Sequence, residues 1–382
     1  MNKAYLMVPG PTAVPERVLQ ATHRPLVNHR GALYEEMFSR ITAGLKTVFR
    51  TRQDVLVFPA AGTGMLEAAV VNTLSPGDKV LAVSIGVFGD RFAEIAARFG
   101  ADVEVMAFPW GRAAEPERVA ERVAADKDHR IKAILVTHNE TSTGVVNDLA
   151  ALAKARGDHP ALLIVDAVSS LGAADLATDD WRLDVVVTGS QKALMTPPGL
   201  GFMAMSERAW TANAQSTMPK FYWDAQAAKK AAAKGQNPYT PAVSLLFGLE
   251  EALKMLAEEG LDNSIIRHKR LAEALRAGFK ALGLKLLAED AAASPGVTAV
   301  FPPDGVEAKK IQKVMRERFG ITLAGGQKQL ENKIFRVGHL GYVVETDILV
   351  TLAALEITLS LLGANVELGS AVKAAGQVIA EG

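Results

Sequence analysis

The sequence has no cysteine among its 382 residues, which excludes disulfides, thiolate metal sites and a cysteine nucleophile. It has no excess charge either. Lys and Arg total 42 against 42 Asp and Glu, so composition points to neither nucleic acid nor anionic lipid as a partner. Nowhere do about 18 apolar residues follow one another without a charge, so no membrane span is expected. Met1 to Gly10 lacks a charged stretch followed by an apolar one of signal length, and a soluble, cytoplasmic protein is the expectation. Balanced charge leaves an anionic ligand open, because binding one needs only local donors.

What is there is a large apolar fraction, 49% hydrophobic residues, enough for a sizeable core and long enough for two domains. Between residues 55 and 205, short runs rich in Val, Ile and Leu recur at 54–58, 79–85, 102–108, 131–137, 161–165, 184–188 and 201–205. They show no polar alternation, as expected of strands covered on both faces. Amphipathic stretches at 65–74, 88–99 and 116–125 lie between them. Such alternation predicts a largely parallel α/β sheet. From residue 244 the pattern changes to helices at 244–259, 262–283, 306–319 and 346–362 with short strands at 284–288, 297–301 and 333–337, a smaller α+β domain. The polar, Ala- and Lys-rich stretch 222–240 reads as a surface excursion or a contact segment.

Candidate chemistry collects at strand ends, where open α/β sheets bind ligands. The run Asp184-Val-Val-Val-Thr-Gly-Ser-Gln-Lys192 carries a lysine out of a buried strand. There its ammonium can lose a proton and form an imine with an aldehyde, although most lysines are solvated surface charges. Ser190 and Gln191 offer donors to a phosphate. Asp166 closes the strand Ala161-Leu-Leu-Ile-Val-Asp166. It is either a cap for the following turn or the acid that keeps a pyridinium nitrogen protonated, with Val168 beside one ring face. The turn Ala61-Gly-Thr-Gly64 opens a helix and is either a plain connection or an anion site. Thr137-His-Asn-Glu-Thr-Ser-Thr-Gly144 is a polar loop whose hydroxyls can hold a phenolic oxygen. Phe88 is either core or a ring-stacking aromatic. Arg336, in Phe335-Arg-Val-Gly338, is either one half of an internal ion pair or a bidentate carboxylate binder.

These motifs resemble the class V aminotransferases, a branch of the fold-type I pyridoxal-phosphate (PLP) enzymes, and most of all the alanine–glyoxylate and serine–glyoxylate aminotransferases. The resemblance runs through Pro9-Gly-Pro-Thr12, Asn28-His-Arg-Gly31, Ala61-Gly-Thr-Gly64, His138-Asn-Glu-Thr-Ser-Thr-Gly144, Asp166-Ala-Val168, Gly189-Ser-Gln-Lys-Ala193, Pro197-Pro-Gly199 and Arg336-Val-Gly338. It implies a mostly parallel seven-stranded sheet in a large domain (16–243), with residues 1–15 and 244–382 forming the smaller one. It implies Lys192 as the Schiff-base lysine and proton shuttle, and Asp166 at the pyridinium nitrogen. Val168 and Phe88 would cover the two ring faces, and Thr141 would bond the 3′-oxygen. Gly62, Thr63, Gly64 and Gln191 would hold the phosphate, and Arg336 the substrate α-carboxylate. Gly10 and His29 would close a small pocket. Thr240 matches a residue that reaches the phosphate of a partner subunit, implying a homodimer. Asn237 stands where the family often has Tyr, with Tyr239 as a candidate substitute.

The resemblance implies amino transfer from serine or alanine to glyoxylate or a similar 2-oxo acid by a ping-pong route. Cysteine desulfurase chemistry is excluded, since it needs the thiol this chain lacks. A phosphorylated or phosphonate amine substrate, and a non-catalytic subunit of the same fold, remain alternatives.

Overall fold

The structure is a computed structural model and describes residues 4–381. Strands are numbered in chain order: β1 (Tyr5–Met7), β2 (Val55–Phe58), β3 (Lys79–Ser84), β4 (Asp102–Ala107), β5 (Ile131–Thr137), β6 (Asn139–Glu140), β7 (Val145–Val146), β8 (Leu162–Asp166), β9 (Val185–Gly189), β10 (Gly201–Met205), β11 (Val297–Val300), β12 (Ile321–Gly325) and β13 (Phe335–Gly338).

Seven strands form one sheet in the order β2-β10-β9-β8-β5-β3-β4. Neighbours from β9 to β4 pair in parallel, and β10 alone runs against both of its neighbours. Side chains alternate across a strand, and here both faces are covered. Leu163, Val165 and Val186 enter one core with Ile41 and Leu45. Leu162, Ile164, Val185 and Val187 enter the other with Met65, Leu66 and Phe92. This two-sided burial is why the strands read as unbroken apolar runs.

The second sheet has the order β1-β12-β13-β11. Its core joins Met7, Phe335 and Val337 to Leu271, Phe279, Ile311 and Leu355, from helices Leu261–Ala281, Ala308–Phe319 and Glu345–Leu361. The stretch 284–288, expected as a strand, contributes only a single bridge, Leu286 to Val300. The remaining strand of this sheet is instead β12, between β1 and β13, whose glycine ending at Gly325 hides it from a hydropathy reading. Helix Val243–Glu259 sends Leu246, Phe247, Leu249 and Leu253 into the core of the large sheet. The polar stretch 222–240 also reaches inward: its helix Ala225–Ala232 buries Ala225 and Ala228, and Trp223 packs edge-on to Phe58. Small alanine faces carry too little hydropathy to announce that burial.

Among the described residues no helix is long and apolar enough to cross a membrane. The chain beyond β1 runs to the carboxyl end of the large sheet. There Thr12 donates its N–H to Gln191 O at 3.2 Å and its hydroxyl to Lys192 O at 3.1 Å.

Candidate active site

Lys192 follows β9 in a tight turn pinned by Ser190, whose hydroxyl donates to Pro197 O at 2.7 Å. Its Nζ donates to Pro9 O at 2.5 Å. Burial pushes the amine down to about 8; the Asp166 carboxylate works against that shift and the Arg336 charge adds to it.

Asp166 is the last residue of β8 and is buried. Its Oδ1 accepts the Val168 N–H at 2.9 Å. Its second oxygen accepts no hydrogen bond from the described residues. Burial pushes this carboxyl up to about 6, against the pull of the Val168 N–H.

Helix Gly62–Thr73 starts after Ala61, which has no capping side chain. Its first hydrogen bond runs from Met65 N to Ala61 O, so the N–H groups of Gly62, Thr63 and Gly64 find no partner among the described residues. Three free amides at the positive end of a helix dipole form an anion site. The buried Oε1 of Gln191 is also unpartnered. A Cβ on Gly62 would lie 2.6 Å from Val168 Cγ2, so glycine keeps this passage open. Gly64 turns its Cα toward Trp223 and offers the site only its N–H. Arg91 donates to Thr63 Oγ1 at 3.2 Å and lies 4.9 Å from the Phe88 ring centroid.

Thr141, Asn139 and Ser169 form a buried relay. Ser169 donates to Asn139 O at 3.0 Å, so it accepts from Thr141 Oγ1, 2.7 Å away. Asn139 Oδ1 has no partner among the described residues. Arg336, in β13, is 5% exposed. It donates through Nε to Gly325 O and through Nη1 to Thr141 O, both at 2.8 Å. No carboxylate pairs with it among the described residues, which removes the internal ion pair as its explanation. Burial pushes its guanidinium down to about 10, with the Glu140 charge opposing.

A cavity brings Gly62, Thr63, Phe88, Thr141, Asp166, Val168, Gln191 and Lys192 to one place. Leu66, Arg91, Asn139 and Ser169 also line it and were not singled out from the sequence. A signal existed for Arg91, which stands one helical turn after Phe88, and for Asn139, inside the hydroxyl-rich segment. Gly10, Gly64, Arg336 and Thr240 are not in the lining. Gly10 adjoins Lys192, and Thr240 is exposed. Asn237 is buried and spent within its own chain: the Tyr34 hydroxyl donates to its Oδ1, and its Nδ2 donates to Val57 O at 3.0 Å. Tyr239 stacks on Tyr222.

This donor set fits PLP. The amine suits an aldehyde, the free Asp166 oxygen a pyridinium N–H, and the three amides with Arg91 a phosphate.

Comparison with known proteins agrees. The family model "Aminotransferase class-V" matches residues 4–342. The chain is 47% identical over 379 residues to the "Soluble hydrogenase 42 kDa subunit" of Anabaena cylindrica, covering 99% of each. It is 42% identical over 389 residues to the serine–glyoxylate aminotransferase of Methylorubrum extorquens, covering 100% of this chain and 97% of that one. The solved ureidoglycine–glyoxylate aminotransferase of Bacillus subtilis superposes with a TM-score of 0.95 at 31% identity, covering 100% and 99%. The chain therefore belongs to the class-V aminotransferases, enzymes that work with pyridoxal phosphate.

Proposed function

We propose that the protein moves an amino group from a small L-amino acid, serine or alanine, to glyoxylate or a similar 2-oxo acid, in two half-reactions at one site. The observation that carries this reading is the cavity that joins Lys192 and Asp166, with Arg336 bonded to the carbonyl of the cavity-lining Thr141 and ion-paired to no carboxylate among the described residues. The serine–glyoxylate relative supports the choice of substrates.

Bound PLP supplies the electron sink that eases loss of the Cα proton. Lys192, buried and with a lowered amine pKa, takes that proton and returns it. Asp166 holds the positive charge of the ring nitrogen in place. Arg336 orients the substrate carboxylate through the nitrogen left free by Gly325 and Thr141. Gly62, Thr63, Gly64 and Gln191 would anchor the phosphate, Thr141 would bond the 3′-oxygen, and Phe88 and Val168 would flank the ring.

The reading includes a homodimer in which exposed Thr240 serves the partner's phosphate. The exposed Phe221, stacked on Tyr239, gives that segment an apolar surface to dock. We place the division between the two units at Gly260 rather than at 243, because helix Val243–Glu259 packs into the large core. A non-catalytic subunit is the second reading, favoured by the name of the Anabaena relative.

An absorbance titration of the purified protein with L-serine, L-alanine and 2-aminoethylphosphonate separates these. A visible cofactor band that serine or alanine bleaches is expected. Bleaching by the phosphonate alone moves the substrate to the phosphonate class. No band after added PLP leaves the subunit reading.

A further inference from the structure

Helix Val87–Arg98 begins without a cap of its own, since Gly86 precedes it and brings no side chain. Its free first-turn amides are nonetheless all satisfied, from another element. Val87 N–H donates to Ser142 Oγ at 3.1 Å. Phe88 and Gly89 donate to Glu140 Oε2 at 3.0 and 3.1 Å. Ser142 gives both its N–H and its hydroxyl to Glu140 Oε1. Burial pushes the pKa of this carboxyl up, and the four donors around it pull the other way, a donor set that suits an anion. Glu140 is 0% exposed. A Cβ on Gly86 would lie 2.6 Å from Glu140 Cδ, so the glycine makes room for the acid.

The arrangement reaches both halves of the site. Phe88, held by its own amide, lines the cavity. Thr141, next in the β6–β7 hairpin, holds Arg336 through its carbonyl. The Glu140 charge also acts on Arg336 and on Asp166. An ordinary helix cap comes from the residue before the helix. Here it comes from the hairpin, so the place of Phe88 depends on the strand pair that carries Thr141.

We propose that Glu140 is a positioning residue whose buried carboxylate fixes Phe88 over the cofactor and Arg336 toward the substrate carboxylate, setting both halves of the site with one anion. The proposal rests on the aminotransferase reading.

The test uses the holoenzyme with Glu140→Gln and Ser142→Ala. Gln keeps the shape, removes the charge and turns an N–H toward amides that need an acceptor. Visible circular dichroism of the bound cofactor should fall by about half or more. PLP Kd should rise about tenfold, the size of a lost charge-assisted cap, and donor KM should rise more than kcat falls. Ser142→Ala, which frees only one amide and one donor, should move each readout the same way by less. Lowered melting temperatures with dichroism, PLP Kd and KM unchanged would make Glu140 a fold element only and overturn the proposal. If Glu140→Gln does not fold, an unchanged dichroism and Kd in Ser142→Ala overturns it as well. A wild-type protein that binds no PLP defeats the aminotransferase reading and this proposal together. Wild-type turnover with unaffected variants defeats this proposal alone.

Discussion

Lys192 Nζ donates to the carbonyl oxygen of Pro9, and the next residue leaves it no room for a neighbour. A Cβ on Gly10 would sit 2.3 Å from Nζ, and Gly10 has φ +132°, a conformation side chains resist. The amine is therefore aimed by a backbone wall from the first residues of the chain. Gly10→Ala should displace it, lowering kcat/KM by about a hundredfold or more and weakening the visible cofactor band. An active Gly10→Ala enzyme would show that the wall is not needed.

The two buried ionisable groups should leave opposite marks on stability in the cofactor-free protein. The Asp166 carboxyl is raised to about 6 from 3.8. The folded state holds that proton more tightly, so its contribution is full below pH 4 and is lost as pH rises through 6. The Lys192 amine is lowered to about 8 from 10.5, so its contribution is full above pH 10.5 and is lost as pH falls through 8. Urea unfolding from pH 4 to 11 should show both slopes. Asp166→Asn should flatten the acid one and Lys192→Met the alkaline one, each abolishing transamination.

Arg336 hydrogen-bonds carbonyls and ion-pairs with no carboxylate among the described residues. Arg336→Lys keeps a cation and loses the planar fork. We expect kcat/KM for amino and oxo acids to fall about 10²-fold or more, with PLP affinity nearly unchanged. Equal losses in PLP binding and substrate binding would assign Arg336 to the cofactor instead.

Gly62→Ala places a methyl carbon 2.6 Å from Val168 Cγ2, between the amide-bearing turn and a residue that lines the cavity. PLP Kd should rise by about tenfold or more for a misfit of this size, and because the clash lies within the protein the melting temperature of the cofactor-free protein should fall as well. Titration by fluorescence quenching measures the first and calorimetry the second.

Strand ends were the most legible part of the sequence. Unbroken runs located β5, β8 and β9, and Asp166 and Lys192 followed from their exits. Chain direction was less legible: nothing in Gly201–Met205 announces that β10 runs against its neighbours, because pairing sense leaves no mark on hydropathy. Glu140 lay in plain view between Asn139 and Thr141, yet its partners Phe88 and Gly89 come from a distant helix start. Arg91 is marked in the sequence only by its place one helical turn after Phe88, and otherwise reads as one more charge on an amphipathic face. Such residues act across space, and periodicity reports only the element that carries them.

β1 has a consequence in time. Tyr5 pairs with Ile321, although the ribosome delivers the two at opposite ends of synthesis. At about 5–20 residues per second, the partner strand emerges roughly 15–60 s after β1. During that interval the large sheet can assemble while β1 lacks its partner strand and the Pro9 carbonyl is tethered beside Lys192 only from the Thr12 side. A nascent chain stalled short of β12 would thus hold a finished large sheet around a lysine whose backbone wall is held from one side only, and the wall would be completed in about the last sixth of translation.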